Sequence, residues 1–392
     1  MLAVHRFDPS ACGFPAPAVP VLPRANWQGI TLAAHNGDTS KGRSYARGRY
    51  ALREAYRLSG VGPDGALLVP SYHCRTMIDP AIALGAELAL YRLTPQLEPD
   101  VASLRQTIDR CARPVRALLV THFFGFPSQL GAVAAFSKER GIALIEDCSH
   151  VWMPGTALHG MGTRGRYVVS SFYKFVPSDD GALLCANDGA PLPAHGRQRG
   201  VGDELRGMAH ILQRARRAAL SDPRFDTLDE PLQQGSSDCG VHWVESAASH
   251  SKSYQPEHEG IRCLRSSLWL LRHTDPSHVA ERRRHRYRQW VEAVGGLPGC
   301  RPLFPVLPEH CVPYMFALHI NSPDGPFARL KRMGMPIWRW DEMAVSNCPT
   351  AAAYRLGLLH LPCHQHLSDA DMEWMTSMVG RVLSAASNKA TV

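Results

Sequence analysis

Lysine is scarce in this chain: only six of its 43 Lys and Arg residues are lysines. One of them, Lys174, stands where an apolar run meets a turn, in Tyr167-Val-Val-Ser-Ser-Phe-Tyr-Lys-Phe-Val-Pro-Ser-Asp-Asp-Gly181. Its aromatic flanks argue for a buried stem. Burial disfavours the charged form of an amine and turns it toward nucleophilic work. Upstream, Gly141-Ile-Ala-Leu-Ile-Glu-Asp-Cys-Ser-His150 is a second apolar run, and it ends in an acidic pair. A lysine and an aspartate, each at the end of a buried strand, are what pyridoxal phosphate chemistry requires. The amine holds the cofactor as a Schiff base and the carboxylate pairs with the pyridinium nitrogen. Asp147 is the carboxylate expected there, and His150, three residues on, can hydrogen-bond the cofactor's phenolic oxygen. The phosphate needs backbone amides at a helix start. Arg47-Gly48-Arg49 opens the first helical pattern, where Gly48 permits close approach and Arg49 adds charge, and Ser171 offers a hydroxyl.

The elements that must position these residues alternate. Helical spacing with a glycine stop covers Ala46 to Gly60. Short apolar strands are expected at Ala66–Pro70, Ala86–Leu93, Arg116–His122, Ile142–Ile145, Val168–Phe172 and Ala182–Cys185. Helices are expected between them at Met77–Leu84, Val101–Cys111 and Gln129–Arg140. Continuous apolar strands separated by helices predict an α/β fold: a three-layer α/β/α large domain around a mainly parallel sheet. Ligands of such sheets bind beyond the carboxyl ends of the strands, where His122, Asp147 and Lys174 all fall. Residues 1–44, rich in Pro and Gly, are expected to be an irregular arm, and 45–270 to be the large domain. Within it, 189–260 is a variable excursion with one helical stretch near Leu205 to Leu220. Residues 271–392 form a smaller C-terminal α/β domain, with helices at Asp275–Val294 and Asp369–Leu383 and an apolar stretch at Tyr314–Ile320.

At 392 residues, 45% hydrophobic and 20% charged, the composition is that of an ordinary globular enzyme. The net charge of +8 suits an anionic substrate, but the basic residues are scattered. The densest run, Arg282-Arg-Arg-His-Arg-Tyr-Arg288, reads as the solvated face of a helix. No appended DNA-binding motif is present, and nucleic acid is not expected as a partner. No apolar run approaches a membrane span, and five prolines within the first 23 residues break any signal-peptide core. Eleven cysteines without a Cys-x-x-Cys pair point to a reduced, cytoplasmic setting. No metal site is expected. His364-Gln-His366, the best histidine pair, has no acidic or cysteine partner at ligand spacing.

In this order the segments resemble the DegT/StrS-type aminotransferase family, pyridoxal phosphate enzymes of the aspartate-aminotransferase fold. Four segments carry the resemblance: Arg47-Gly-Arg-Tyr-Ala-Leu52 with Val69-Pro-Ser-Tyr-His-Cys74, Val120-Thr-His-Phe-Phe-Gly125, Ile145-Glu-Asp-Cys-Ser-His150, and Ser170-Ser-Phe-Tyr-Lys174 through Gly181. Weaker echoes follow at Arg282–Tyr287, Val312–Tyr314 and Leu361–Gln365. The resemblance implies Lys174 as the Schiff-base lysine, Asp147 as pyridinium partner with His150 beside it, and Gly48, Arg49 and Ser171 around the phosphate. It also implies that a residue of the Tyr72-His73-Cys74 step stacks on the ring, with His73 favoured. A homodimer is implied, with glutamate as amino donor and a nucleotide-linked keto-sugar as acceptor. The chain departs from the family's pattern in Gly181-Ala182 for Gly-Gly, in His73-Cys74 for Thr-Phe, in His285 for Asn, and in lacking a recognisable Asn-Tyr-Arg stretch after the lysine. Two alternatives therefore stand beside transamination. One is a same-fold enzyme catalysing elimination, dehydration or another non-transferring reaction; the other is a catalytically idle binding or regulatory relative.

Overall fold

Strand parity decides which side of a sheet each residue serves, because successive side chains point to opposite faces. The computed structural model describes residues 2–26, 28–35, 42–155, 160–190, 192–219, 241–247, 249–323 and 325–390. In chain order the described strands are β1 (Leu2–Asp8), β2 (Arg43–Tyr45), β3 (Ala66–Pro70), β4 (Glu87–Tyr91), β5 (Val115–Thr121), β6 (Ala143–Cys148), β7 (Tyr167–Ser170), β8 (Ala182–Ala186), β9 (Val241–Ala247), β10 (Cys300–Pro302), β11 (Met315–Ile320) and β12 (Leu358–Pro362). Seven of them form one sheet in the order β2-β8-β7-β6-β5-β3-β4. The pairs among β4, β3, β5, β6 and β7 are parallel, while β8 runs antiparallel to both β7 and β2.

Both faces of this sheet are buried. Leu67, Val69, Ala117, Leu119 and Ile145 share one core with the helices Gly48–Leu58 and Arg75–Ala83. Leu68, Leu118, Val120 and Leu144 alternate with them and join a second core, which also holds Val279, Tyr287 and Trp290 of the helix Pro276–Val294 and Met375, Met378 and Val382 of the helix Asp369–Ala390. This is the expected α/β/α layering. The C-terminal region adds an antiparallel three-stranded sheet, β10-β11-β12, covered by helices.

Three readings of the sequence change. The stretch expected to be an irregular arm contains β1, which pairs along its whole length with β9, and the first two residues of β2. Alternation in Leu2–Asp8 is too weak to signal a strand, and its partner lies more than 230 residues away. The helix expected near Leu205 to Leu220 spans Val201–Ala219; Leu220 and the rest of the excursion to 240 lie outside the described residues. The run at Arg282–Arg288 is not a solvated face. Arg283 and Arg286 are each 0% exposed. Arg286 donates to Asp369, to the Leu367 carbonyl at 2.7 Å and to Gln289 at 2.9 Å. Charge spacing cannot distinguish a solvated arginine from one whose fork meets carbonyls from another element.

The same interior holds several histidines in neutral form. Burial pulls His73 and His366 down to about 4 and His360 to about 3, and holds His150 and His364 well below the usual imidazole value. In the unfolded chain each regains a value near 6.5, so below that pH the unfolded state binds more protons. Stability is therefore full above about pH 6.5 and is lost as pH falls toward 4, each such histidine costing about 1.4 kcal/mol per pH unit once it titrates. The melting temperature should drop steeply between pH 7.5 and 5, and less steeply in His73→Asn; a flat profile would contradict this.

Candidate active site

Parity on β6 separates its acidic pair. Ile145 and Asp147 share a face, and Glu146 takes the other. Glu146 accepts backbone N–H groups from Gly162, Arg164 and Gly165 at 2.5–2.7 Å and meets His122 Nε2 at 2.8 Å. Burial alone would raise its carboxyl, but the His122 hydrogen bond and these amides hold it below the usual range. His122 Nδ1 accepts from Ser128 N, which leaves the ring proton on Nε2 facing Glu146. Glu146 thus clamps the loop 162–165, and His122 is its buried partner and does not line the cleft beside Asp147, although both His122 and Asp147 stand at strand ends.

Asp147 opens on a cleft lined by Arg47, Gly48, Arg49, Cys74, Thr121, Ser149, His150, Ser171, Tyr173, Lys174 and Trp340, among others. Five strand or helix ends meet here. β5 delivers Thr121, paired in register with Asp147 of β6. β7 ends at Ser170, and the one-turn 3-10 helix Phe172–Lys174 turns the lysine into the cleft. Gly181 makes that turn possible. Its φ is +137°, and a Cβ there would overlap the Phe172 ring. The helix Gly48–Leu58 starts at the cleft with no side-chain cap on its first turn.

The donor set fits pyridoxal phosphate. An uncapped helix start presents unpaired N–H groups and the positive end of its dipole. Gly48 keeps that approach open, since a Cβ would overlap the Ser171 hydroxyl. The Ser171 hydroxyl donates to Ser149 at 3.1 Å, so two hydroxyls and the arginines 47 and 49 border the same space. Thr121 Oγ1, buried in the wall, has no hydrogen-bond partner among the described residues. Asp147 is 3% exposed and accepts from Ser149 N at 2.9 Å. His150 Nδ1 accepts from Phe124 N at 3.2 Å, which puts its proton on Nε2, and burial followed by the charge of Lys174 keeps the ring neutral. The ring lies stacked on Tyr314, 4.4 Å between centroids, and Lys174 Nζ stands 5.2 Å from the centroid of the same tyrosine.

Of the residues expected from sequence, Lys174, Asp147, His150, Ser171, Gly48 and Arg49 come together, and His73 does not. Its Nδ1 donates to the Pro70 carbonyl at 2.9 Å, and its Nε2 accepts from Ala344 N at 3.1 Å. The neighbouring Cys74 lines the cleft instead, because the turn into the helix Arg75–Ala83 rotates His73 inward. Sequence reasoning missed Thr121, Ser149, Tyr173 and Trp340. Parity could have found the first two; nothing local marks Trp340. It also missed what holds Lys174. Arg283 Nη2 donates to the Lys174 carbonyl at 2.9 Å and Nη1 to the carbonyls of Pro313 and Tyr314 at 3.1 and 3.0 Å. Its Nε donates to Gln365 Oε1 at 2.9 Å, and the Gln365 amide donates to the Phe175 carbonyl at 2.6 Å. Of the histidine pair flanking Gln365, His364 donates to the Pro20 carbonyl and accepts from His366 N.

Two outcomes follow from this geometry. Gly48→Ala should weaken pyridoxal phosphate binding at least tenfold in an absorbance titration, because the added methyl fills the phosphate cradle; unchanged affinity would contradict that placement. Arg283→Met strands three carbonyls and the Gln365 oxygen, and should lower stability by about 3 kcal/mol or more in urea unfolding.

Residues 31–191 match the model of the DegT/DnrJ/EryC1/StrS aminotransferase family. Among curated proteins, the dTDP-4-dehydro-2,3,6-trideoxy-D-glucose 4-aminotransferase of Saccharopolyspora spinosa is 28% identical over 160 residues, 39% of each chain. The 3-amino-5-hydroxybenzoate synthase of Amycolatopsis mediterranei is 26% identical over 164 residues, 40% of this chain and 38% of the relative. The chain thus matches about two fifths of the length of these relatives. Solved structures cover far more. The aminotransferase TlmJ from Streptoalloteichus hindustanus superposes with a TM-score of 0.58 at 21% identity, over 88% of this chain and 86% of that one. The sugar aminotransferase Spr1654 from Streptococcus pneumoniae, in its PMP form, gives 0.63 at 12% identity over 95% and 100%. The match to the family model thus spans the strands and turns that build the cleft up to β8, and the fold of the chain is that of these solved structures.

Proposed function

We propose that the protein is a pyridoxal phosphate-dependent aminotransferase. It would move an amino group from an amino acid, with glutamate as the donor, to a keto substrate of the nucleotide-linked keto-sugar class. The observation that carries this reading is that Lys174 and Asp147 line one cleft with an uncapped helix start. When bound, the cofactor supplies an electron sink for the carbon whose proton is removed. The residues of the chain divide the remaining work. Gly48, Arg49 and Ser171, with Ser149, would hold the phosphate. Asp147 would hold a proton on the ring nitrogen, and His150 Nε2–H would donate to the phenolic oxygen. Lys174 would attach the cofactor and, once displaced by the donor, carry the proton as general base and then acid at Nζ. The aromatic floor of His150, Tyr314 and Phe124 limits water at that amine.

The substrate class has its own support. Beside the cleft, and sharing Arg47 and Arg49 with it, lies a second hollow lined by Arg199, Tyr50, Ser253 and His258. Its wall also carries Asp179 and Asp180, the latter paired with Arg199 at 3.2 Å, so three guanidinium groups stand against two carboxylates and leave the opening a net positive charge that suits a diphosphate. The curated relatives named for dTDP- and UDP-linked sugars motivate the same assignment.

A homodimer is part of this reading. Val201, Leu205, Met208 and Leu212 recur along one side of the helix Val201–Ala219 and are each more than half exposed, a stripe suited to a second copy. The division into an arm, a large domain at 45–270 and a small domain at 271–392 is proposed with it, and so is a cytoplasmic setting, in keeping with the lack of a disulfide among the described cysteines. No described helix is long and apolar enough to cross a membrane.

Glutamate should discharge the visible band of the cofactor-loaded protein, and a 2-keto acid should restore it. Persistence of the band with every amino acid tried would refute transamination. Loss of the band with release of ammonia or water in place of a transferred amine would favour the non-transferring chemistry.

A further inference from the structure

An aromatic ring bound in this cleft needs a face to lie against, and the segment expected to supply one does not. Tyr72 is fully buried, its hydroxyl 2.9 Å from His360 Nε2, and it is not part of the lining. His73 is turned inward, and Cys74, which does line the cleft, is too small to cover a ring. Trp340 lines it, reaching in from the C-terminal region.

Trp340 is half-buried, one side on protein and the other on the cleft. Its bed is aromatic: Tyr72 at 4.7 Å between centroids, His360 edge-on at 5.3 Å and Phe124 stacked at 6.3 Å, with His150 beside it at 6.0 Å. The backbone on either side is pinned. Trp338 exchanges two hydrogen bonds with His360 of β12, at 3.0 and 2.7 Å. Four residues past the indole, Ala344 N donates to His73 Nε2, Val345 N donates to the Ala3 carbonyl, and His5 N donates to the Met343 carbonyl. His73 therefore does serve the ring site, but as an anchor of the segment that carries the indole. A large aromatic side chain whose neighbours are fixed loses little freedom when a ring packs against it.

We propose that Trp340 is the aromatic surface against which the cofactor's pyridine ring packs, taking the place that a ring at position 74 would fill. This deepens the pyridoxal phosphate reading and rests on it. The full-length protein, freed of cofactor, is titrated with pyridoxal phosphate and followed by visible absorbance and visible circular dichroism. Trp340→Leu should raise the dissociation constant about tenfold, and Trp340→Phe should stay within about threefold of the parent. In Trp340→Phe the circular dichroism of the bound cofactor should change in amplitude while its absorbance does not. That variant keeps an aromatic ring on the same bed, so it remains informative if the leucine variant does not fold. The proposal is overturned if Trp340→Leu binds within about twofold of the parent, if the two variants weaken binding equally, or if the circular dichroism of Trp340→Phe is unchanged. A parent protein that binds no pyridoxal phosphate overturns the functional reading and this inference together; a parent that binds while the variants match it overturns this inference alone.

Discussion

Arg283 is a buried cation with no carboxylate partner among the described residues, and the candidate site depends on it. Its guanidinium lies 4.4 Å over the Phe175 ring and directs its donors to three backbone carbonyls and to Gln365. Burial lowers its pKa to about 10, still well above neutral, so it stays charged. Such a group survives in an interior only when every donor has an acceptor. The acceptors here belong to three parts of the chain: Lys174 in the turn after β7, Pro313 and Tyr314 leading into β11, and Gln365 after β12. Satisfying one side chain therefore fixes the lysine's backbone against the C-terminal sheet and sets Tyr314 under both Lys174 and His150.

The electrostatics of the cleft follow from that packing. Asp147 is kept on the cleft side by strand parity, and its neighbour Glu146 is consumed by backbone amides on the other face. His150 is held neutral with its proton on Nε2 because Phe124 N occupies Nδ1. Phe124 itself adopts a positive φ of 58°, uncommon for a residue with a side chain. That strained backbone is what points its N–H at the imidazole. Charge, tautomer and ring orientation are thus set by the protein before any ligand arrives, the condition under which fixed dipoles act most strongly.

Much of this was legible in the sequence, for reasons visible in particular residues. The strands from β3 to β8 are short apolar runs bounded by glycine or polar turns, and a buried parallel sheet writes that pattern directly. Lys174, Asp147, His150 and Ser171 sit next to those runs, so placing the strands placed them, while Gly48 and Arg49 follow from the start of the first helical pattern. What escaped were long-range pairings and choices of side-chain direction. β1 finds β9 across the molecule. His73 and Cys74 are adjacent, and only the turn into the following helix decides which one sees the cleft. Arg283 lies in a basic run that spacing alone assigns to solvent. Trp340 has no motif around it, and its role follows from the segment pinned between His360 and His73.

The proposed chemistry depends on Lys174 as the residue that takes up the cofactor. Incubating the purified protein with pyridoxal phosphate, reducing with borohydride and mapping the modified peptide by mass tests it most directly. One adduct per chain, on Lys174, is the predicted result. An adduct on any other lysine, or none, would contradict it.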